Sequence, residues 1–106
     1  MAKEKMILVY SVFPKNKKLN TCIRTPIAKS LAVCANVFPQ IKSHYIWNGK
    51  IETATEVAVI FKTKRGLKKQ LMKEIKSTHT YEVPFIGVLS VEDVNEEYLA
   101  YIKAST

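Results

Sequence analysis

An α+β domain, with four strands in a sheet and helices packed on one of its faces, is what this sequence predicts. Three observations carry the prediction. Dense apolar runs of strand length alternate with segments whose apolar residues recur every three or four positions. The pair Asn48-Gly49 separates two long extended stretches. The 106 residues, 47% apolar and 25% charged, suffice for one core and are too few for two, so residues 1–106 are read as a single domain.

The first element is Lys5 to Phe13, a continuous apolar run closed by Pro14 and a polar cluster, as expected of a buried central strand. Leu19, Cys22, Ile23, Ile27, Ser30 and Leu31 then repeat at helical spacing, which predicts an amphipathic helix from about Leu19 to Leu31. Pro26 lies within it; its missing N–H and ring clash cost about 3 kcal/mol in a helix interior, so a kink or a restart is expected there.

Two long strands follow, joined at Asn48-Gly49 in a two-residue type I′ hairpin whose central residues both need positive φ. That turn fixes the register: Trp47 opposes Lys50, Ile46 opposes Ile51, and Tyr45 opposes Glu52. Carried outward, the register sets Val33, Ala35 and Val37 against the polar-containing parity of the other strand. One extra residue restores apolar against apolar, and Pro39, unable to donate a ladder bond, marks the place. A bulge near Phe38-Pro39-Gln40 is therefore expected, with Val37 opposite Val59, Ala35 opposite Phe61 and Cys34 opposite Lys62.

Leu67, Leu71 and Ile75 mark a second helix, with Lys68, Lys69, Lys73 and Lys76 mainly on its wet side. Val83 to Val91 reads as a fourth strand. Asn95 is placed to cap a last helix with Glu96 and Glu97 in its first turn and Tyr98, Leu99, Tyr101 and Ile102 on its inner side. The order β-α-β-β-α-β plus a C-terminal helix is the ferredoxin-like split β-α-β sandwich. Its second sheet face is left bare, and hairpin strands of about fifteen residues reach about 50 Å, well beyond a sheet of ordinary length. Self-association is the expected remedy, with the overhanging hairpin pairing with a neighbouring subunit and the bare faces packing inward.

Function classes narrow in the same way. No apolar run nears the roughly 18 residues of a membrane span, and Met1-Ala2-Lys3-Glu4-Lys5 leads into a strand with no signal-peptide h-region, so a soluble cytoplasmic protein is expected. Cys22 and Cys34, twelve apart, suggest neither a disulfide framework nor a local zinc clip. The net charge of +8 first suggests a polyanion partner. From residue 1 to 81 there are 16 basic and 4 acidic residues, and from 82 onward 1 basic and 5 acidic; with no aromatic stacking motif alongside, nucleic acid is not the expected partner. With three glycines in all and neither a phosphate loop nor a Ser-His-Asp order, an enzyme is not expected.

Several stretches resemble the CutA divalent-cation-tolerance family, in order and spacing over nearly the whole chain. They are Ile7-Leu8-Val9-Tyr10-Ser11, Leu31-Ala32-Val33-Cys34-Ala35-Asn36, residues 45–52, Ile60-Phe61-Lys62-Thr63, residues 79–84 (His-Thr-Tyr-Glu-Val-Pro), and Tyr98-Leu99. Thr80 and Tyr101 stand where the family usually carries proline and tryptophan. The resemblance implies a ferredoxin-like trimer akin to the PII signalling proteins, and tolerance of divalent metals such as copper.

The candidate site residues follow from their chemistry. His79, Cys34 and Glu82 offer an imidazole, a thiolate and a carboxylate suited to copper or zinc, if assembly brings them together. Tyr81 and Glu82 are read first as fasteners of the loop to backbone donors or a neighbouring subunit. Lys62, directly across from Cys34, Glu56, and the aromatics Trp47 and Tyr45 near the hairpin tip complete an expected inter-subunit cleft for a divalent cation or small anionic ligand. The alternative is a PII-like signalling or scaffolding trimer that acts through a protein partner without metal.

Overall fold

The computed structural model describes residues 5–106, and within them the order of elements is the expected one. Strand β1 (Met6–Phe13) is followed by helix α1 (Leu19–Ala28), strands β2 (Cys34–Trp47) and β3 (Lys50–Lys64), helix α2 (Lys68–Thr78), strand β4 (Ile86–Ser90) and helix α3 (Glu96–Ser105). A single 3-10 turn, Arg65–Leu67, leads into α2. The four strands form one antiparallel sheet in the order β2-β3-β1-β4.

Alternation along the two central strands sorts the side chains. Ile7, Val9 and Phe13 of β1 and Val57, Val59 and Phe61 of β3 face α1 and α2, where they pack with Cys22, Leu71 and Ile75 into the core. Lys29, just past α1, closes a 2.5 Å ion pair with Glu74 of α2; the Lys29 ammonium holds this carboxyl below its ordinary range. At the surface such a pair contributes no more than about 1 kcal/mol. The opposite sheet face carries Tyr10, Val12, Glu56, Ala58 and Ile60.

The hairpin is as the turn chemistry dictates. Asn48 and Gly49 have φ of 52° and 77°, and Trp47↔Lys50, Ile46↔Ile51 and Tyr45↔Glu52 pair across it. The register shifts between Phe38 and Ile41, where Pro39 interrupts the ladder, and beyond it Val37 meets Val59, Ala35 meets Phe61 and Cys34 meets Lys62. Nothing crowds Gly49, so replacement by alanine is a test of backbone conformation alone. Gly49→Ala is expected to cost about 1–2 kcal/mol in urea unfolding.

Because β1 reaches only to Val57 on β3, the residues from Lys50 to Glu56 and their partners on β2 project as a two-stranded arm. The molecule is accordingly 49 Å long against 27 and 21 Å in the other directions. Its radius of gyration, 14.9 Å, exceeds the roughly 13 Å of an ordinary domain of this length.

Five expectations need correction. Helix α1 stops at Ala28 instead of Leu31; it runs through Pro26, which is buried, and Ser30 at φ 59° ends it in the left-handed region. Strand β4 begins at Ile86, since Pro84 has no N–H to donate and Val83, 88% exposed, stands clear of β1. The second sheet face is not wholly bare: Lys62 reaches toward the Tyr98 ring of α3, and Ile102 of α3 is fully buried. Tyr101, expected inside, is half exposed. Asn95 does occupy the N-cap position, but its amide turns to Glu97 and leaves the backbone uncapped.

Candidate functional site

A cleft of about 680 Å³ opens on the part of the second face that α3 leaves free. Strand alternation puts Tyr10 and Val12 of β1 and Glu52, Ala54 and Glu56 of β3 on that side. The bulge at Pro39 brings the opposite parity of β2 onto the same side, so Ser43, Tyr45 and Trp47 join them. Without the extra residue these three would point to the other face. The loop between α2 and β4 supplies the remaining wall through Tyr81, Val83 and Phe85.

Three contacts fix that loop. His79 Nε2–H donates to the Val12 carbonyl at 2.9 Å, while its Nδ1 accepts the Tyr81 backbone N–H at 3.1 Å. Both ring nitrogens are thus engaged, and the imidazole stacks on Phe13 at 4.4 Å with the planes 14° apart. Ser11 Oγ–H donates to the Phe85 carbonyl at 2.7 Å. The Phe85 ring meets Tyr10 edge to face at 5.6 Å and folds back over Gly87. A Cβ at Gly87 would stand 2.6 Å from Phe85 Cζ, so even alanine there displaces the ring from the cleft wall.

The polar end of the cleft is Tyr81 and Glu56. The Tyr81 hydroxyl donates a short hydrogen bond to the Glu56 carboxylate. Burial first, and the adjacent carboxylate second, push the phenol up to about 12, so it remains a neutral donor at physiological pH. Glu52 and Glu56 are the charged side chains lining the cleft, and no Lys, Arg or His among the described residues joins them there.

Burial lowers the pKa of His79 below its ordinary value of 6.5, with the Val12 carbonyl and Glu56 opposing in part. The unfolded chain therefore binds this proton more readily, and the histidine's contribution to stability is complete above pH 6.5 and lost as pH falls below it. Protonated Nδ1 would also confront the Tyr81 N–H, donor against donor. Urea unfolding is expected to show stability declining from pH 7 to pH 5, with the decline flattened in His79→Gln, which itself costs about 1–2 kcal/mol at pH 7.

The expected site residues divide into separate groups. Tyr45, Trp47, Glu56 and Tyr81 line the cleft. His79 lies behind Tyr81 as its support, and Glu82 is exposed on the loop. Cys34 and Lys62 pair across the strands at the other end of the sheet, beside Tyr98; six positions along β3 separate Lys62 from Glu56, about 20 Å. Among the described residues, no three His, Cys, Asp or Glu side chains of one protomer gather as a metal site. Tyr10, Glu52 and Phe85 join the cleft without being among the candidate site residues. Strict alternation against Val9 places Tyr10 on this face; nothing local to Phe85 shows that its ring turns back across Gly87.

Comparison with known proteins gives this geometry its relatives. The family described as CutA1 divalent ion tolerance protein matches residues 7–105. The chain belongs to the CutA1 family. The divalent-cation tolerance protein CutA of Thermotoga maritima is 42% identical over 100 residues, covering 94% of this chain and 98% of the relative. The Pyrococcus horikoshii protein of the same name is 39% identical over 101 residues, 95% of this chain and 98% of the relative. Its crystal structure superposes with a TM-score of 0.88 at 37% identity, covering 94% of this chain and 97% of that one. CutA1 membership thus confirms the fold class and the family suggested by the sequence motifs. Among the described residues no helix is long and apolar enough to cross a membrane. Plant CutA relatives are described as chloroplastic and the Archaeoglobus fulgidus structure as periplasmic, so the family occupies more than one compartment.

Proposed function

We propose that three copies of this chain assemble through their arms and uncovered sheet faces, and that the acidic cleft binds a divalent cation as part of metal-ion tolerance. The observation that carries the reading is the cleft itself: a cavity of about 680 Å³, rich in aromatic walls, with Glu52 and Glu56 as its charges. Carboxylates without basic neighbours favour a cation over the small anion also considered from sequence. Copper is the ion the reading names first and zinc the second; each protomer gives two carboxylates to the cleft, and a donor from a neighbouring subunit would complete the set.

In this reading the protein acts by binding and not as an enzyme. Its place is the cytoplasm, where the free thiols of Cys22 and Cys34 stay reduced. Calorimetric titration with Cu(II) and Zn(II) tests it, with sedimentation velocity on the same samples. The wild type is expected to take up one of the ions, Glu56→Gln to bind it at least tenfold more weakly, and both proteins to sediment as trimers. Unchanged affinity in Glu56→Gln removes the cleft from the reading. A wild type that binds neither ion leaves the PII-like signalling trimer in its place.

A further inference from the structure

The helix side of the molecule has an electrostatic character that a count along the chain conceals. Residues 13–31, which contain α1, carry Lys15, Lys17, Lys18, Arg24 and Lys29 and no acidic residue. Residues 64–80, which contain α2, carry Lys64, Arg65, Lys68, Lys69, Lys73 and Lys76 against Glu74 alone. Each segment is net +5 in a chain of net +8, so the rest of the protein is net −2. Folding sets the two segments side by side on one face of the sheet and leaves the acidic cleft on the other.

We propose that this helix layer is a docking surface for the phosphate backbone of nucleic acid, bound without regard to sequence. Lys69, Lys73 and Lys76 follow the i, i+4, i+7 spacing of one helical stripe, and all three are exposed. The stripe is about 10 Å long, a distance over which a duplex presents about six phosphates. Its far end adjoins a second depression, about 560 Å³, where Lys18 and Thr21 of the α1 end face Ser77 and Thr80 of the α2 end. Asn16 Nδ2–H donates to Thr80 Oγ1 at 3.1 Å across this junction and ties the two helix ends together.

The residue types decide what is read. Lysines dominate; of the two arginines in the layer, Arg65 is held by Ser90 Oγ at 2.6 Å. Point charges of this kind hold phosphates and leave bases undistinguished. An anionic bilayer would meet the same charge, but stable adsorption adds apolar insertion. Of the large apolar side chains exposed among the described residues, Ile27 alone lies on this layer.

Fluorescence anisotropy with a labelled 30-base-pair duplex and a 30-nucleotide RNA, from 50 to 200 mM KCl, tests the proposal. Both probes are expected to bind with affinity that falls steeply as salt rises. Lys69→Glu/Lys73→Glu/Lys76→Glu is expected to weaken binding at least tenfold and to reduce the log–log salt slope by about 2–3. Lys42→Glu/Lys50→Glu/Lys103→Glu, with the same change of net charge away from the layer and checked by sedimentation velocity to keep the wild-type assembly, is expected to stay within threefold of wild type. Equal weakening by the two variants overturns the proposal. So does the absence of binding at 50 mM KCl with protein at about 50 μM, or adsorption to vesicles of anionic phospholipid with none to either nucleic acid.

Discussion

Replacing Ile46 and Ile51 by aspartate is expected to convert the proposed trimer into folded single chains. The two residues oppose each other across the arm and are 68% and 74% exposed in the protomer, so their removal takes nothing from its core. Burying an isoleucine contributes about 1.5–3 kcal/mol. Losing two on each arm therefore costs assembly about 3–6 kcal/mol, or two to four orders of magnitude in its dissociation constant, before the cost of burying aspartate is added. Sedimentation velocity at micromolar concentration reads the mass directly, and far-UV circular dichroism checks that the fold remains. A double variant that still sediments like the wild type would show that these isoleucines are not the contact.

Phe61→Ala is expected to have the largest effect on the protomer itself. Phe61 is fully buried on β3, between Val9 of β1 and Ala35 of β2, where β1, β2 and both main helices meet the core. Truncation at such a site costs about 3–5 kcal/mol, a large part of the 5–15 kcal/mol that holds a domain together. The urea midpoint should fall by about 2 M or more. Ile60→Ala offers the contrast, because its side chain is on the second sheet face and only half-buried in the protomer. It should cost less than half as much in a dissociated protein, and approach the Phe61 value if assembly buries that face. Similar small losses for both, under assembled conditions, would contradict burial of the second face.

Much of this architecture is legible because local chemistry and periodicity agree. Asn48-Gly49 admits one tight turn, the turn fixes the pairing next to it, and the parity conflict further out requires an extra residue where Pro39 cannot donate. The same logic fails for the first helix. Pro26 costs a hydrogen bond and a clash, yet the helix runs two residues past it, because burial of the ring offsets the local penalty. Strand β4 is shorter than its apolar run, since pairing with β1 sets its length.

The candidate site is less legible than the fold, and its residues show why. Glu56 and Tyr81 are 25 positions apart, and their hydrogen bond exists only because the loop after α2 crosses the face that β3 presents. His79 looks like a ligand in isolation; its two nitrogens are committed to Val12 and Tyr81, contacts no local pattern encodes. Cys34 and Lys62 are adjacent, as the register requires, but the same register carries them far from Glu56.

By itself, the sequence determined the order of strands and helices, the hairpin and its bulge, the buried parity of each central strand, and the family. Those depend on periods of two and 3.6 residues and on turn residues with few allowed conformations, all of which are written locally. Only the tertiary structure decided which polar groups meet, that α3 closes one end of the second face, and that basic charge collects on the helix layer while carboxylates line the cleft. Those outcomes depend on contacts between segments distant along the chain, whose geometry is set by packing.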